Sequence, residues 1–417
     1  MAFVNKAAGD TRSQRIRSQH CVVSISTVSA TAMRYFNNGA TTWPKPEIVY
    51  ETVDECFRNL NSPERTASAT RERCASLMQQ SRQEIAEFFN IPDPGRLVLL
   101  PSCTYALNLA ILGLEWRPGE TAIMSGLEHH AVSRTIRKVA RERGVNFEVM
   151  PYTRHKPVDL QFLEDKLKAG GVRLVACTMA SNITGDIVPI HEVCRLARLY
   201  GAHCLVDAAQ TAGVLPVDVE DLGCDFMAFA GHKGLYGPPG IGGVFVREGI
   251  QLRTLAEGGT GKDSGKHELS GSFPSTFEVG THNLPAIAGL AAGVRWIKQI
   301  GVDAVHRHEL GLMRQLQAGL ERIDGIHVHG NPDVERRTAV ASVTFDDIAP
   351  QDAAAWLADK HDITTRAGFH CAPLAHQTIG THAGGGTVRF SFGFFNTPEE
   401  IDDTLAVLSE VPRAAEV

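Results

Sequence analysis

Two residues in one short stretch carry the most chemistry. Asp207 ends an apolar run, HCLVDAAQ, and Lys233 follows 26 residues later in the glycine-rich AGHKGLYGPPGIGG. A lysine amine can condense with a carbonyl, and an acid held against a heteroaromatic nitrogen keeps that ring protonated and electron-withdrawing. Together the two specify pyridoxal phosphate chemistry, with Lys233 carrying the cofactor and Asp207 facing its ring nitrogen. A lysine in a glycine loop is ordinarily a solvated surface group, and the acid at this spacing sets this one apart.

A second constellation lies near the C-terminus. Cys371 sits in TTRAGFHCAPLAH, five residues after Arg366 and beside His370. A thiolate is the competent nucleophile, and neighbouring cations favour it. The chain has nine cysteines, none in a CxxC pair, so neither a disulfide framework nor a metal spacing is present. The other eight read as small buried hydrophobes. Arg389, in GTVRFS, offers a planar fork suited to a carboxylate; its plain alternative is a surface ion pair. His129, in LEHHAV, reads alone as a surface histidine after a strand. Thr104, with Cys103 in PSCTYALNLA, stands where a strand gives way to a helix. That place suits either a helix cap or a bound phosphate.

These residues need a scaffold, and the pattern supplies one. Short apolar runs at 96–101, 121–125, 146–152, 173–179, 203–208, 225–230 and 241–246 alternate with amphipathic stretches such as 130–143 and 190–200. The alternation predicts an α/β fold with a mostly parallel sheet covered by helices, its ligands at the carboxyl ends of the strands. A polar, glycine-rich loop is expected at 257–272, an apolar helix at 284–300, and an amphipathic helix at 398–411. The expected organisation is a leader or disordered extension at 1–32 and a segment near the active site at 33–47. A large cofactor-binding domain follows at 48–290, then a small α+β domain at 291–417 carrying the cysteine loop.

DAAQTAG followed by GHKGLYGPPGIGG resembles the class V aminotransferase family of fold type I pyridoxal-phosphate enzymes, its cysteine desulfurase branch in particular. The likeness runs from YFNNGATTWPKP (35–46) to the end of the chain, and R-x-G-x-H-C around Cys371 resembles the group II, SufS-type members. The longer serine-rich loop of group I relatives is absent. The resemblance implies a seven-stranded sheet in the large domain and a catalytic role for Lys233, Cys371 and His129. It places His129 on the cofactor ring, Gln210 at the phenolic oxygen, Thr104 and His232 around the phosphate, and Cys103 among the other cofactor-binding residues. Arg389, Arg366, Asn182 and Asn38 fall on the substrate side. Thr281, in FEVGTHN, resembles a threonine that reaches the neighbouring subunit's phosphate, which implies a homodimer with shared sites. The implied reaction converts L-cysteine to L-alanine, with sulfur held as a persulfide on Cys371 and passed to an acceptor protein. One position departs from the family: Ala230 stands where Ser or Thr commonly donates to the phosphate, a bond worth about 1.5–3 kcal/mol.

Composition is compatible with this reading. A net charge of −6 and an apolar share of 43% give no basic excess for nucleic acid, and no apolar run is long enough for a membrane helix. The scattered thiols fit a reducing, cytoplasmic setting. Residues 1–32 are rich in Ser, Thr and Arg and poor in acids, so they read as an organellar leader, a disordered tail or an extension upstream of the true start at Met33. Two rival functions remain on sequence alone. One is a selenocysteine lyase, another C–S lyase, or a class V aminotransferase or epimerase; the other is a non-catalytic sulfur-transfer scaffold.

Overall fold

Apolar runs too short for helices and bounded by Gly, Pro and Asp form strands where both faces can be covered. A computed structural model describes residues 15–18, 21–24, 33–60, 69–260, 267 and 271–411. Seven of these runs make one sheet: β1 (Leu97–Leu100), β2 (Thr121–Ser125), β3 (Asn146–Met150), β4 (Val172–Thr178), β5 (His203–Asp207), β6 (Phe226–Ala230) and β7 (Gly242–Val246). Their order is β1-β7-β6-β5-β4-β2-β3. Strand β7 runs antiparallel to β1 and β6, and the remaining pairs are parallel.

The helices around this sheet are α1 (Glu47–Asn59), α2 (Ala69–Phe88), α3 (Cys103–Leu112), α4 (His130–Arg143), α5 (Leu160–Ala169), α6 (Ile190–Leu199) and α7 (Leu284–Ile300). Successive strand residues point to opposite faces, so β4 divides its side chains between two cores. Val175 and Cys177 pack with Val193 of α6, whereas Leu174 and Ala176 pack with Leu107 of α3 and Ile136 of α4. Helix α7 crosses the boundary expected at residue 290. Its Ala286, Ile287, Leu290, Val294 and Ile297 all join the first of these cores.

The smaller unit is an antiparallel sheet of β8 (Ile326–His329), β9 (Val340–Phe345), β10 (Arg366–Gly368) and β11 (Thr387–Ser391), ordered β8-β9-β11-β10. With it go α8 (Val302–Leu320), α9 (Pro350–His361), α10 (Pro373–Ile379) and α11 (Pro398–Leu408). Helix α11 starts with a reciprocal capping box between Thr397 and Glu400. Arg34–Tyr35 pairs in parallel with Ile363–Thr364, and Gly39 N–H donates to Ser391 Oγ at 2.8 Å. The same segment also reaches the large domain: Thr42 N–H and Lys45 Nζ donate to the His232 carbonyl at 3.1 and 2.8 Å.

The extension expected at 1–32 lies outside the described residues apart from a short antiparallel ribbon, Arg15–Ser18 with Cys21–Ser24. No helix among the described residues is long and apolar enough to cross a membrane.

Strand β1 is an edge strand and is fixed by a buried ion pair. Arg82 of α2 donates two bonds to Glu278, at 2.8 and 2.7 Å, and one to the Leu97 carbonyl at 2.6 Å. Glu278 also accepts the Leu99 N–H at 2.6 Å. Glu278→Ala leaves a partly buried guanidinium with only the Leu97 carbonyl and the Leu99 amide without its acceptor, so it should destabilise the fold by about 3 kcal/mol. A denaturant titration checks this, and a loss below about 1 kcal/mol would mean the pair behaves as a surface bridge.

Candidate active site

The parallel strands end at one edge of the sheet, and their loops deliver the chemistry there. A cavity of about 210 Å³ is lined by Cys103, Thr104, His129, Asn182, Asp207, Gln210, Ala230, His232, Lys233, Arg366, His370 and Arg389, with Gly39 and Ala40 from the N-terminal segment. Ten of the thirteen residues singled out from the sequence therefore meet in one place.

Asp207 terminates β5 and is buried. Its Oδ1 accepts the Ala209 N–H at 2.9 Å and the Cys103 thiol at 3.8 Å. Burial pushes the Asp207 carboxyl up from its usual range, opposed by the Ala209 N–H and by Lys233. Burial likewise lowers the Lys233 amine, opposed chiefly by Asp207. Burial and the neighbouring Asp207 push the Cys103 thiol up, so it stays protonated as the donor to that carboxylate.

His129 caps α4, its Nδ1 accepting the Ala131 N–H at 3.1 Å, which leaves the proton on Nε2. Burial, with help from Lys233, lowers its pKa to about 3, so the ring is neutral. Its neighbour Glu128 is fully buried, with Oε1 accepting from Ser125 Oγ at 2.5 Å and Thr178 N–H at 2.7 Å. Burial raises the Glu128 pKa to about 8. The folded protein therefore holds a proton that the unfolded chain has already released above about pH 4.5. Stability should fall as pH rises from there to about 8, then level off. Glu128→Gln should flatten this slope in thermal melts recorded across the window; an unchanged slope would assign it to other groups.

Ser102 is the cap of α3, its Oγ accepting the Tyr105 N–H. That leaves Thr104 in the first turn, lining the cavity with free N–H groups of the helix start. Gly242 of β7 makes this possible: a Cβ there would stand 2.7 Å from the Cys103 nitrogen. His232 adjoins, held neutral by burial with a pKa of about 4. A helix N-terminus for a phosphate, an acid facing an amine and a flat neutral imidazole together fit pyridoxal phosphate.

The opposite wall belongs to the small sheet. Arg366 and Arg389 are direct cross-strand partners on β10 and β11. Like charges set opposite each other are unfavourable unless an anion lies near both. Arg389 lies in the middle of β11 and is buried. It donates to the Asn182 carbonyl at 2.8 Å and Asn37 Oδ1 at 3.2 Å. Burial and Arg366 lower its pKa to about 9. Arg366 Nη2 lies 3.5 Å from Cys371 Sγ. Cys371 is exposed, whereas Cys56, Cys74, Cys103, Cys177, Cys194, Cys204 and Cys224 are buried. His370 and Cys371 both adopt left-handed backbone, φ 49° and 59°, unusual for side chains with a Cβ. Two contacts hold the turn: His130 N–H to the Cys371 carbonyl at 2.7 Å, and Asn182 Nδ2 to the His370 carbonyl at 3.0 Å.

Some expected positions fall elsewhere. Asn38 is buried with its amide bonded to the Ser391 carbonyl and Asn396, so it shapes the segment rather than the cavity. Asn37, given no function from the sequence, is the asparagine on Arg389. Gln210 Nε2 donates to the Gly39 carbonyl at 3.1 Å. Thr281 is exposed and does not line the cavity. The cation beside Cys371 is Arg366, because burial and both arginines keep His370 uncharged. No group of three or more His, Cys, Asp or Glu among the described residues could hold a metal ion.

The sheet order and the lysine-bearing loop define a fold type I enzyme of the pyridoxal-phosphate class. The family model for class V aminotransferases matches residues 34–404, and the chain belongs to that family. It is 33% identical over 379 residues to a probable cysteine desulfurase of Methanothermobacter thermautotrophicus, covering 90% of this chain and 94% of the relative. A probable cysteine desulfurase of Pyrococcus abyssi is 32% identical, with 91% and 94% covered. Among solved structures, the apo cysteine desulfurase of Thermococcus onnurineus superposes with a TM-score of 0.85 at 32% identity, covering 91% of this chain and 94% of that one.

Proposed function

We infer that this chain is a pyridoxal-phosphate-dependent cysteine desulfurase, converting L-cysteine to L-alanine. The observation that carries it is the meeting, at one cavity, of the Lys233–Asp207 pair with Arg366, whose Nη2 lies 3.5 Å from the exposed Cys371 sulfur. An aminotransferase would have no use for the exposed thiol facing a guanidinium.

The cofactor supplies an electron sink for the substrate Cα. Lys233 anchors it and exchanges the Cα proton; Asp207 holds the proton on the ring nitrogen. Thr104 and His232, at the start of α3 and beside the lysine, would take the phosphate, and Gln210 the phenolic oxygen. Arg389 binds the amino-acid carboxylate. The Cys371 thiolate attacks the substrate sulfur: an S–S bond forms, the C–S bond breaks, and the electron pair returns to the carbon skeleton, which is protonated to alanine. The neutral His129 is placed to carry a proton in that exchange. A second thiol, on an acceptor protein, then takes the outer sulfur.

The exposed Thr281 supports a homodimer in which it reaches the neighbouring subunit's phosphate. The eight free cysteines among the described residues suit a cytoplasmic setting. The test is an assay of cofactor-loaded protein with L-cysteine and a reductant, following alanine and sulfide. Equal yields of the two establish the reaction, and a yellow protein inert to cysteine would reject it.

A further inference from the structure

Hydrogen-bond accounting around the two arginines points to one more residue. Arg366 has its Nη2 on the Cys371 sulfur, and Arg389 has its terminal nitrogens on the Asn182 carbonyl and Asn37 Oδ1. What remains is Arg389 Nε, buried and without a partner, and the His370 ring, 2% exposed with neither nitrogen partnered. Buried polar atoms are almost always bonded, so three orphans at one cavity wall call for a ligand. Asn182 sets these groups side by side, bonding the His370 carbonyl through its amide and Arg389 through its own carbonyl.

The ligand's charge follows from the surroundings. Two guanidinium groups face each other across β10 and β11, and the imidazole beside them is uncharged. A neutral imidazole offers one N–H donor and one lone pair. The left-handed turn at His370 is pinned on both sides, so the ring direction is built in rather than incidental.

We propose that His370 contacts the substrate, donating its ring N–H to the α-carboxylate alongside Arg389 Nε. This rests on the amino-acid reading of the site above and adds a residue to it. Arg389 then grips the carboxylate side-on, through Nε and an adjoining nitrogen, instead of end-on with its terminal pair.

The test is binding, not turnover, so it stands apart from the desulfurase assignment. Dissociation constants of L-alanine and of ethylamine, which lacks the carboxylate, are measured by absorbance titration of cofactor-loaded wild type and His370→Ala. Losing a hydrogen bond to a charged group should weaken L-alanine about 10- to 100-fold and leave ethylamine unchanged. His370→Asn, which keeps an N–H donor, should recover most of the loss. Equal weakening of both ligands, or none, would overturn the proposal. So would unchanged L-alanine with weakened L-cysteine, which would put His370 on the substrate sulfur. If the variants do not fold, histidine-selective 15N NMR of the wild type gives the same decision. A His370 ring signal that moves with L-alanine and not with ethylamine supports the contact; one that ignores both refutes it.

Discussion

Cys371→Ser should give a folded, yellow protein that binds L-cysteine and releases neither alanine nor sulfide above background. The side chain is exposed and in no core, so stability should change by less than about 0.5 kcal/mol. The cofactor wall, built from β5, β6 and the start of α3, does not involve the turn at 370–371. Serine keeps the size but is a far weaker nucleophile than a thiolate toward sulfur. Retained turnover of cysteine would refute the nucleophile assignment. The same variant separates the nearest rival: a selenocysteine lyase would keep most of its activity on selenocysteine, whereas a desulfurase loses its cysteine activity.

Lys233→Ala should remove all turnover and the absorbance of the lysine-bound cofactor together. Proton transfer by a positioned group is worth on the order of 100- to 10,000-fold, and here the covalent anchor goes as well. The loss should be selective for chemistry. The Thr42 Oγ1 bond goes to the Lys233 backbone carbonyl at 3.0 Å, so the loop keeps its tie to the N-terminal segment. A variant that retains measurable alanine production would mean another base serves the Cα, and His129 would be the first to examine.

Much of this site is legible in the sequence because its residues sit where the chain pattern changes. Asp207, Lys233, His129 and Thr104 each follow a short apolar run, and the carboxyl end of a parallel strand is where such residues converge. Period alone located those strands to within about two residues. Asn38 and Asn37 show the limit: adjacent asparagines in a loop point to different partners, and only the parallel bridge of Asn37 to Ser391 settles which reaches Arg389. The Arg366–Arg389 pairing joins strands separated by the whole 369–386 connection with α10 inside it, so register had to come from the folded sheet. The boundary expected at 290 falls inside α7, whose apolar residues continue to Ile297 in the same core. His370 was visible as a neighbour of the cysteine, but it is buried in a left-handed turn that composition does not encode.

The segment 34–45 has a mechanical meaning beyond its hydrogen bonds. One end is zipped to Ile363–Thr364 and Ser391, the frame that carries Arg366 and Arg389; the other is tied to the carbonyls of His232 and Lys233. The floor of the cavity and its arginine wall thus share one short strap that has little slack. Any hinge motion that widened the mouth would pull on the lysine loop, so opening for product and re-seating of the amine form one coordinated displacement rather than two independent ones.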